Sequence, residues 1–280
     1  MRASSLLLPA LLLSTPLACA TLTIYEPFGY TPGGTLANQN GGTGFSGAWP
    51  AGATNHTLSA ANTSLSYPTA SPLTGQGAHL SIGTTTGGIT ASRGLAAGAQ
   101  VNLATAGVGL YASALISIGE IGQTTSVQFS NGSNIRFSYG INAAGNFFSS
   151  VDPGAGGQVA TINTVAAINT TYLVVAYIRT NTGPGNPPND EVFVNFYAPG
   201  DTIVAPGSDT AWQARASGNS GLNLDVMRIA ANNPSATTTL RMDEIRVGTT
   251  FQDVTGVVPE PGTVALSGLA LALGLVRRRR

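Results

Sequence analysis

The side chains best suited to acid–base or metal chemistry are few and scattered. Before Val258 there are only two histidines, His56 and His79, and four glutamates, Glu26, Glu120, Glu191 and Glu244. The neighbourhoods of the histidines, ATNHTLS and GAHLSI, carry no second ligand at a spacing such as H-x-x-x-H, so neither marks a zinc site. A glycosidase needs two carboxylates, about 5 Å apart for retention or about 6.5–9.5 Å for inversion. No strand-like run carries acids in an E-x-D-x-x-E arrangement. Asp190-Glu191 and Asp243-Glu244 are adjacent pairs, and neighbours on a regular strand point to opposite faces. There is no G-x-S-x-G turn to present a serine nucleophile. The Gly-rich NGGTG at 40–44 leads into neither a lysine nor a helix, so it is not a phosphate loop. No catalytic residue and no cofactor is therefore assigned. Carbohydrate contact is the chemistry left, because aromatic rings in polar segments can stack on sugar faces. Trp49 and Trp212 are the candidates, with Tyr30 and Tyr67 in similar surroundings. The competing reading has these rings filling the ends of the fold.

Composition narrows the classes further. Apolar residues make up 42% of the 280-residue chain, enough for a substantial core, whereas charged residues make up 9%, far below the roughly 25% of ordinary globular domains. Every basic side chain apart from the histidines is arginine. The net charge of zero hides an asymmetry: 21–257 holds seven arginines against eleven acids. A weakly acidic body without a basic patch argues against nucleic acid and against docking on anionic lipid.

The elements that must position any site are strands. Apolar residues do not recur at helical spacing between 21 and 257, and glycine interrupts nearly every candidate helix. Short β-like runs stand at 22–28, 79–83, 109–118, 125–130, 135–141, 171–180, 191–199, 226–231 and 243–251. In EVFVNFYAP both alternating faces carry large apolar groups, which places that run inside a sheet. In DEIRVG, Ile245 and Val247 share one face and Glu244 and Arg246 the other, the pattern of a half-buried strand. The turn-rich NTGPGNPPND at 181–190 predicts that the runs on either side of it are paired. Many strands without crossover helices predict an all-β fold, an antiparallel two-sheet jelly-roll sandwich over 21–257.

Both ends read differently. Residues 1–20 combine one arginine, an apolar stretch and Ala18-Cys19-Ala20, the pattern of a signal peptide cleaved after Ala20. Pro16 stands where a lipoprotein signal wants leucine, so Cys19 is read as part of the leader, and the mature body carries no cysteine. The segment 258–280 opens with Val258-Pro259-Glu260-Pro261, continues through a short apolar run at 262–276, and closes with Arg277, Arg278, Arg279 and Arg280. As a helix that run spans about 22 Å, short of the roughly 30 Å hydrocarbon core. It suits a transient hold in the membrane, with the arginines as a stop on the cytoplasmic side.

These three elements, in this order, resemble the PEP-CTERM sorting domain of exported bacterial proteins. The resemblance implies an exosortase-type membrane processing enzyme as partner, and a setting of exopolysaccharide and biofilm. The body is similar to LamG-like, concanavalin-type jelly rolls in YEPFGY (25–30), NQNGGTGFSGAW (38–49), SLSYP (64–68), YLVVAYI (172–178) and DEIRVGTTFQDV (243–254). That likeness implies neighbouring first and last strands, which brings Glu26 toward Asp243, and a structural Ca²⁺ near them. The alternative for those carboxylates is pairing with an arginine such as Arg241 or Arg246. The expectation is an exported, non-enzymatic protein of the cell surface or matrix, held transiently in the membrane through its C-terminus. The alternative is a secreted glycosidase or lyase on the same fold.

Overall fold

β-branched and aromatic runs separated by Gly, Asn and Ser turns fold into sixteen strands in the computed structural model. It describes residues 22–61, 63–67, 77–83, 85, 87–102, 105, 107–151, 158–180, 190–218, 223–234 and 237–256. The leader with Ala18 and Ala20, and the segment from Val258 with its four terminal arginines, lie outside the described residues. The strands are β1 (Leu22–Glu26), β2 (Thr57–Leu58), β3 (Leu80–Ile82), β4 (Ile89–Gly94), β5 (Val101–Asn102), β6 (Gly109–Ser117), β7 (Thr124–Asn131) and β8 (Asn134–Ile141). They continue with β9 (Asn146–Val151), β10 (Val159–Val165), β11 (Tyr172–Arg179), β12 (Asp190–Tyr197), β13 (Ala214–Gly218), β14 (Asn223–Leu224), β15 (Val226–Asn232) and β16 (Leu240–Gly248).

An eight-stranded sheet runs β13-β12-β11-β6-β16-β3-β2, with β1 also paired to β16. A six-stranded sheet runs β10-β9-β8-β7-β15-β4, and β5 and β14 form a small ribbon. All pairings are antiparallel. The two large sheets stack face to face as a jelly-roll sandwich, and one apolar core draws on both: Ala112, Val174 and Val194 from one, Val127, Phe137 and Ile229 from the other. Phe147 of β9 stacks on Phe196 of β12 at 4.1 Å between ring centroids. The Tyr139 hydroxyl crosses the core and donates to the Ser113 carbonyl at 2.8 Å. Burying one such aromatic side chain contributes about 1.5–3 kcal/mol.

The predicted neighbours pair as expected. β11 and β12 run antiparallel, and β12 is interior to its sheet. β1 lies against β16, with Glu26 opposite Ile245. Two expectations need correction. First, β16 is buried on both faces, because Phe251 and Val254 pack with Leu115, Leu173 and Tyr197 in a second apolar layer over the outside of the eight-stranded sheet. Glu244 and Arg246 are buried in spite of their charge. Second, the run read as a strand to 251 breaks off at Gly248, and a short helix, α1 (Phe251–Thr255), follows. Thr250 Oγ1 accepts from the Asp253 N–H at 3.1 Å, and Asp253 Oδ2 accepts from the Thr250 N–H at 2.8 Å. This reciprocal cap starts the helix. Gly256, at φ 65°, ends it.

The Gly-rich NGGTG is a structural strap. Thr43 exchanges two backbone hydrogen bonds with Tyr25 of β1. A Cβ on Gly42 would meet the Tyr25 carbonyl oxygen at 2.3 Å, and one on Gly44 the Thr23 oxygen at 2.3 Å. Only glycine lets the strap lie this close.

Candidate functional site

The outward face of the six-stranded sheet is built from small and polar side chains. In β7, Val127 and Phe129 point into the core, so Ser126 and Gln128 point away from it. In β15, Met227 and Ile229 face the core, which turns Arg228 and Ala230 outward. The register sets these residues in rows. One row reads Ser92, Arg228, Gln128, Ser138 and Ser150 across five strands. The next reads Thr90, Ala230, Ser126, Gly140 and Phe148. The second row is low in the middle, where Ala, Ser and Gly stand side by side. An open hollow of about 400 Å³ lies there, lined by Thr90, Ser126, Gln128, Asn142, Phe148 and Asn232 among others.

The lining combines hydroxyls and amides with Ile89, Ile141, Ala230, Ala231 and the half-buried ring of Phe148, and it contains no carboxylate. One polar atom of the lining and one beside it lack a protein partner. Gln128 donates through Nε2 to Ser126 Oγ at 3.0 Å, while its Oε1 is enclosed and receives no hydrogen bond. In the adjoining row, Arg228 Nε is in the same condition. A buried polar atom left unpaired costs about 1–3 kcal/mol, so these groups disfavour the folded protein unless something else meets them. Such an arrangement can orient a polar, hydroxyl-rich molecule.

The carboxylates lie elsewhere, and the described strands that carry them all belong to the eight-stranded sheet. Glu26 points between the sheets. It accepts from the Phe28 N–H at 3.0 Å, Tyr30 hydroxyl at 2.9 Å, Trp49 Nε1 at 3.0 Å and Arg93 Nη1 at 3.0 Å. Burial pushes its pKa up, against the pull of these donors and the guanidinium. Arg93 also donates to the Gly41 carbonyl at 2.8 Å and to Asn40 Oδ1 at 2.9 Å, and lies 4.0 Å from the centre of the Phe45 ring. Glu26 of one sheet and Arg93 of the other thus tie the sandwich together and fix the 40–49 loop.

Asp243 and Glu244 depart from regular alternation. Met242 and Ile245 both point into the core, so the two acids between them share the opposite face. The cause is a bulge: two residues separate Asp243 from Arg246, where one separates Leu115 from Ser113 on β6. Glu244 sits at φ 52° in this bulge. It accepts from Arg246 Nη2 at 2.5 Å and from the Tyr25 hydroxyl at 2.9 Å. Asp243 accepts from the Leu65 N–H at 2.8 Å and the Glu244 N–H at 2.9 Å, and burial pushes it up to about 8. Glu26 faces inward and Asp243 outward, so they do not converge on one ion, although their strands are neighbours. The arginine that pairs with Glu26 is Arg93 of the other sheet. Among the described residues, no three His, Cys, Asp or Glu side chains gather as a metal site. Glu191 and Asp209 share Arg179, both at 2.6 Å from its Nη2.

The two tryptophans have different fates. Trp49 is buried in the core, with its N–H committed to Glu26. Trp212 is half-buried on the outside of the eight-stranded sheet. It stacks with Tyr177 at 5.9 Å and Tyr111 at 6.4 Å, and lies 5.7 Å from Phe193. Tyr30 donates to Glu26, and the Tyr67 hydroxyl to the Ala198 carbonyl at 2.5 Å. Both histidines are buried. Burial pushes His56 down to about 4 and lowers His79 as well. The sequence reading passed over Ser126, Gln128, Phe148 and Arg228. A signal was present in TSVQFS and VMRIAA, where apolar and polar residues alternate.

No helix among the described residues is long and apolar enough to cross a membrane. No curated protein sequence matches this chain. Among solved structures, it is similar to a sialidase (12% identical, TM-score 0.40), covering 83% of this chain and 19% of that one. It is also similar to the T. cruzi calreticulin globular domain (10% identical, TM-score 0.46; 93% and 100% covered). A third is the Bacillus licheniformis β-glucanase (11% identical, TM-score 0.39; 84% and 96% covered). Residues 257–280 match the PEP-CTERM protein-sorting motif. That motif is the recognition signal of an exosortase, and the chain that carries it is an exported, surface-directed protein.

Proposed function

We propose that this protein is a non-enzymatic component of the cell surface or extracellular matrix that contacts exopolysaccharide through the outer face of its six-stranded sheet. In this reading Val258, Pro259, Glu260 and Pro261 are the residues the exosortase recognises. Arg277, Arg278, Arg279 and Arg280 hold the tail at the membrane until it is processed. The observation that carries the contact is the hollow: hydroxyls and amides, Gln128 Oε1 among them without a partner, beside the half-buried Phe148 and with no carboxylate in the lining. Sugars offer many hydroxyls to such groups and apolar ring faces to aromatic side chains. Glu26, Glu191, Asp243 and Glu244, in strands of the other sheet, are each engaged by arginine or backbone donors. The test is to incubate the exported protein with the organism's own exopolysaccharide, then measure co-sedimentation and product release together. The expected outcome is retention of protein on the polymer with no new reducing ends or unsaturated products. Steady release of products would replace this reading with a polysaccharide-processing enzyme, and absence of retention would remove it.

A further inference from the structure

We infer that the ligand of this face is a polysaccharide bearing carboxylate groups, with Arg228 and Gln128 forming the edge that reads them. This rests on the glycan-contacting reading above and narrows its ligand. The first observation is the segregation of charge. None of the six strands of this sheet contains Asp or Glu, yet they contain Arg93, Arg136 and Arg228. Arg93 is turned inward and neutralised by Glu26. Arg136 stands at the bulge where β8 gains a residue against Phe129 and Ser130 of β7. The rest of 21–257 has the opposite balance, with four arginines against eleven acids. One acid-free, arginine-bearing face on an acidic protein concentrates anions locally.

The second observation is the state of Arg228 itself. Its guanidinium makes a hydrogen bond to the Ser133 carbonyl at 3.2 Å, and its Nε has no acceptor. Asp225, three residues earlier, is turned to the Gly132 N–H at 2.8 Å. Gln128 is the register partner of Arg228 on the neighbouring strand and leaves Oε1 without a donor. A uronate residue supplies the complement: a planar carboxylate for the guanidinium fork and for the second N–H of the Gln128 amide. The adjoining hollow, at about 400 Å³, falls within the range of small-ligand sites, about 300–1,000 Å³.

The experiment compares polygalacturonate with a neutral β-glucan of matched length, using the exported protein, Arg228→Gln and Arg228→Lys. Polygalacturonate should bind more tightly than the glucan, and more weakly as salt rises from about 0.05 to about 0.5 M. Arg228→Gln should weaken polygalacturonate binding about tenfold or more, the scale of one hydrogen bond to a charged group. Arg228→Lys should retain part of it. Should Arg228→Gln fail to fold, the salt dependence of the unaltered protein decides. Equal affinity for both polymers, no binding to polygalacturonate, or unchanged binding in folded Arg228→Gln overturns the anionic assignment. These outcomes leave exopolysaccharide contact standing. Failure to bind the organism's own polymer removes both.

Discussion

The two sheets of the sandwich handle their polar groups in opposite ways. The eight-stranded sheet carries Glu26, Asp190, Glu191, Asp243 and Glu244 in its strands, and an apolar layer with α1 covers much of its outer face. Its charges are matched within the protein, Glu26 by Arg93, Glu191 by Arg179 and Glu244 by Arg246. The six-stranded sheet has no acid in its strands, and on its outer face Gln128 Oε1 and Arg228 Nε are left without partners. Charge alone therefore does not point to function here. The conspicuous acids are held by partners within the fold, and in the proposed reading it is the quieter face of Ser, Thr, Gln and Arg that meets other molecules.

The sharpest way to break this contrast is to remove two arginines of the six-stranded sheet in turn, Arg93, which reaches inward to neutralise Glu26 of the other sheet, and Arg228, which faces out. Arg93→Met leaves Glu26 buried without its cation, and should lower the unfolding free energy in urea by about 3–5 kcal/mol. Arg228→Gln should change it by no more than about 0.5 kcal/mol. Similar costs for the two variants would mean that the sheets do not differ as described. A smaller effect is expected from Trp212→Ala. Loss of this half-buried ring from Tyr111, Tyr177 and Phe193 should cost about 2–3 kcal/mol, again read from urea unfolding. Exopolysaccharide binding by the folded variant should be unchanged. Loss of binding would move the contact to the aromatic cluster of the eight-stranded sheet.

The smallest effect is a dependence on pH. Asp243 is pushed up to about 8 by burial, whereas an unfolded aspartate titrates near 4. The folded protein holds a proton across that window that the unfolded chain has released, so stability falls as pH rises toward about 8. Glu26 and Glu244, also raised by burial, act in the same sense. The histidines act in the other: His56 is lowered to about 4 and His79 is lowered too. They cost stability as pH falls below about 6.5, where the unfolded chain takes up their protons. Between about pH 6.5 and 8 Asp243 dominates, and urea midpoints should register a decline of about 1–2 kcal/mol. Asp243→Asn should flatten that slope, from a lower starting level, because its NH₂ cannot accept the Leu65 or Glu244 N–H. A level profile in the unaltered protein would mean that these two donors outweigh burial and keep Asp243 ionised.

The fold was legible in the sequence wherever strands carry large apolar groups. β6, β11 and β12 announce themselves, and the turn cluster between the last two predicts their pairing correctly. β4 (ITASRG), β10 (VATINTV) and β13 (ARASG) escaped because small and polar residues give no strong alternation. The hollow escaped for the same physical reason: Ala230, Ser126 and Gly140 form a floor by having little side chain to show. The bulge at Asp243 and Glu244 was hidden too, since an inserted residue leaves no mark in an otherwise regular pattern. Trp49 looked exposed among glycines and serines. Its burial depends on Glu26, twenty-three positions earlier in the chain, a relation that only the folded register brings about.

The pairing of the first and last strands has a mechanical consequence. Leu22 faces Gly248, so the first described strand begins where the last one ends, at one end of the eight-stranded sheet. Tension drawn between the two ends opens β1 from β16 like a zip, one rung at a time. Tension on the C-terminal side alone, against a body held elsewhere, runs along β16 and must slide it past β6, β3 and β1 together, since all three are bonded to it. The same strand is a weak seam under one direction of pull and a firm anchor under the other.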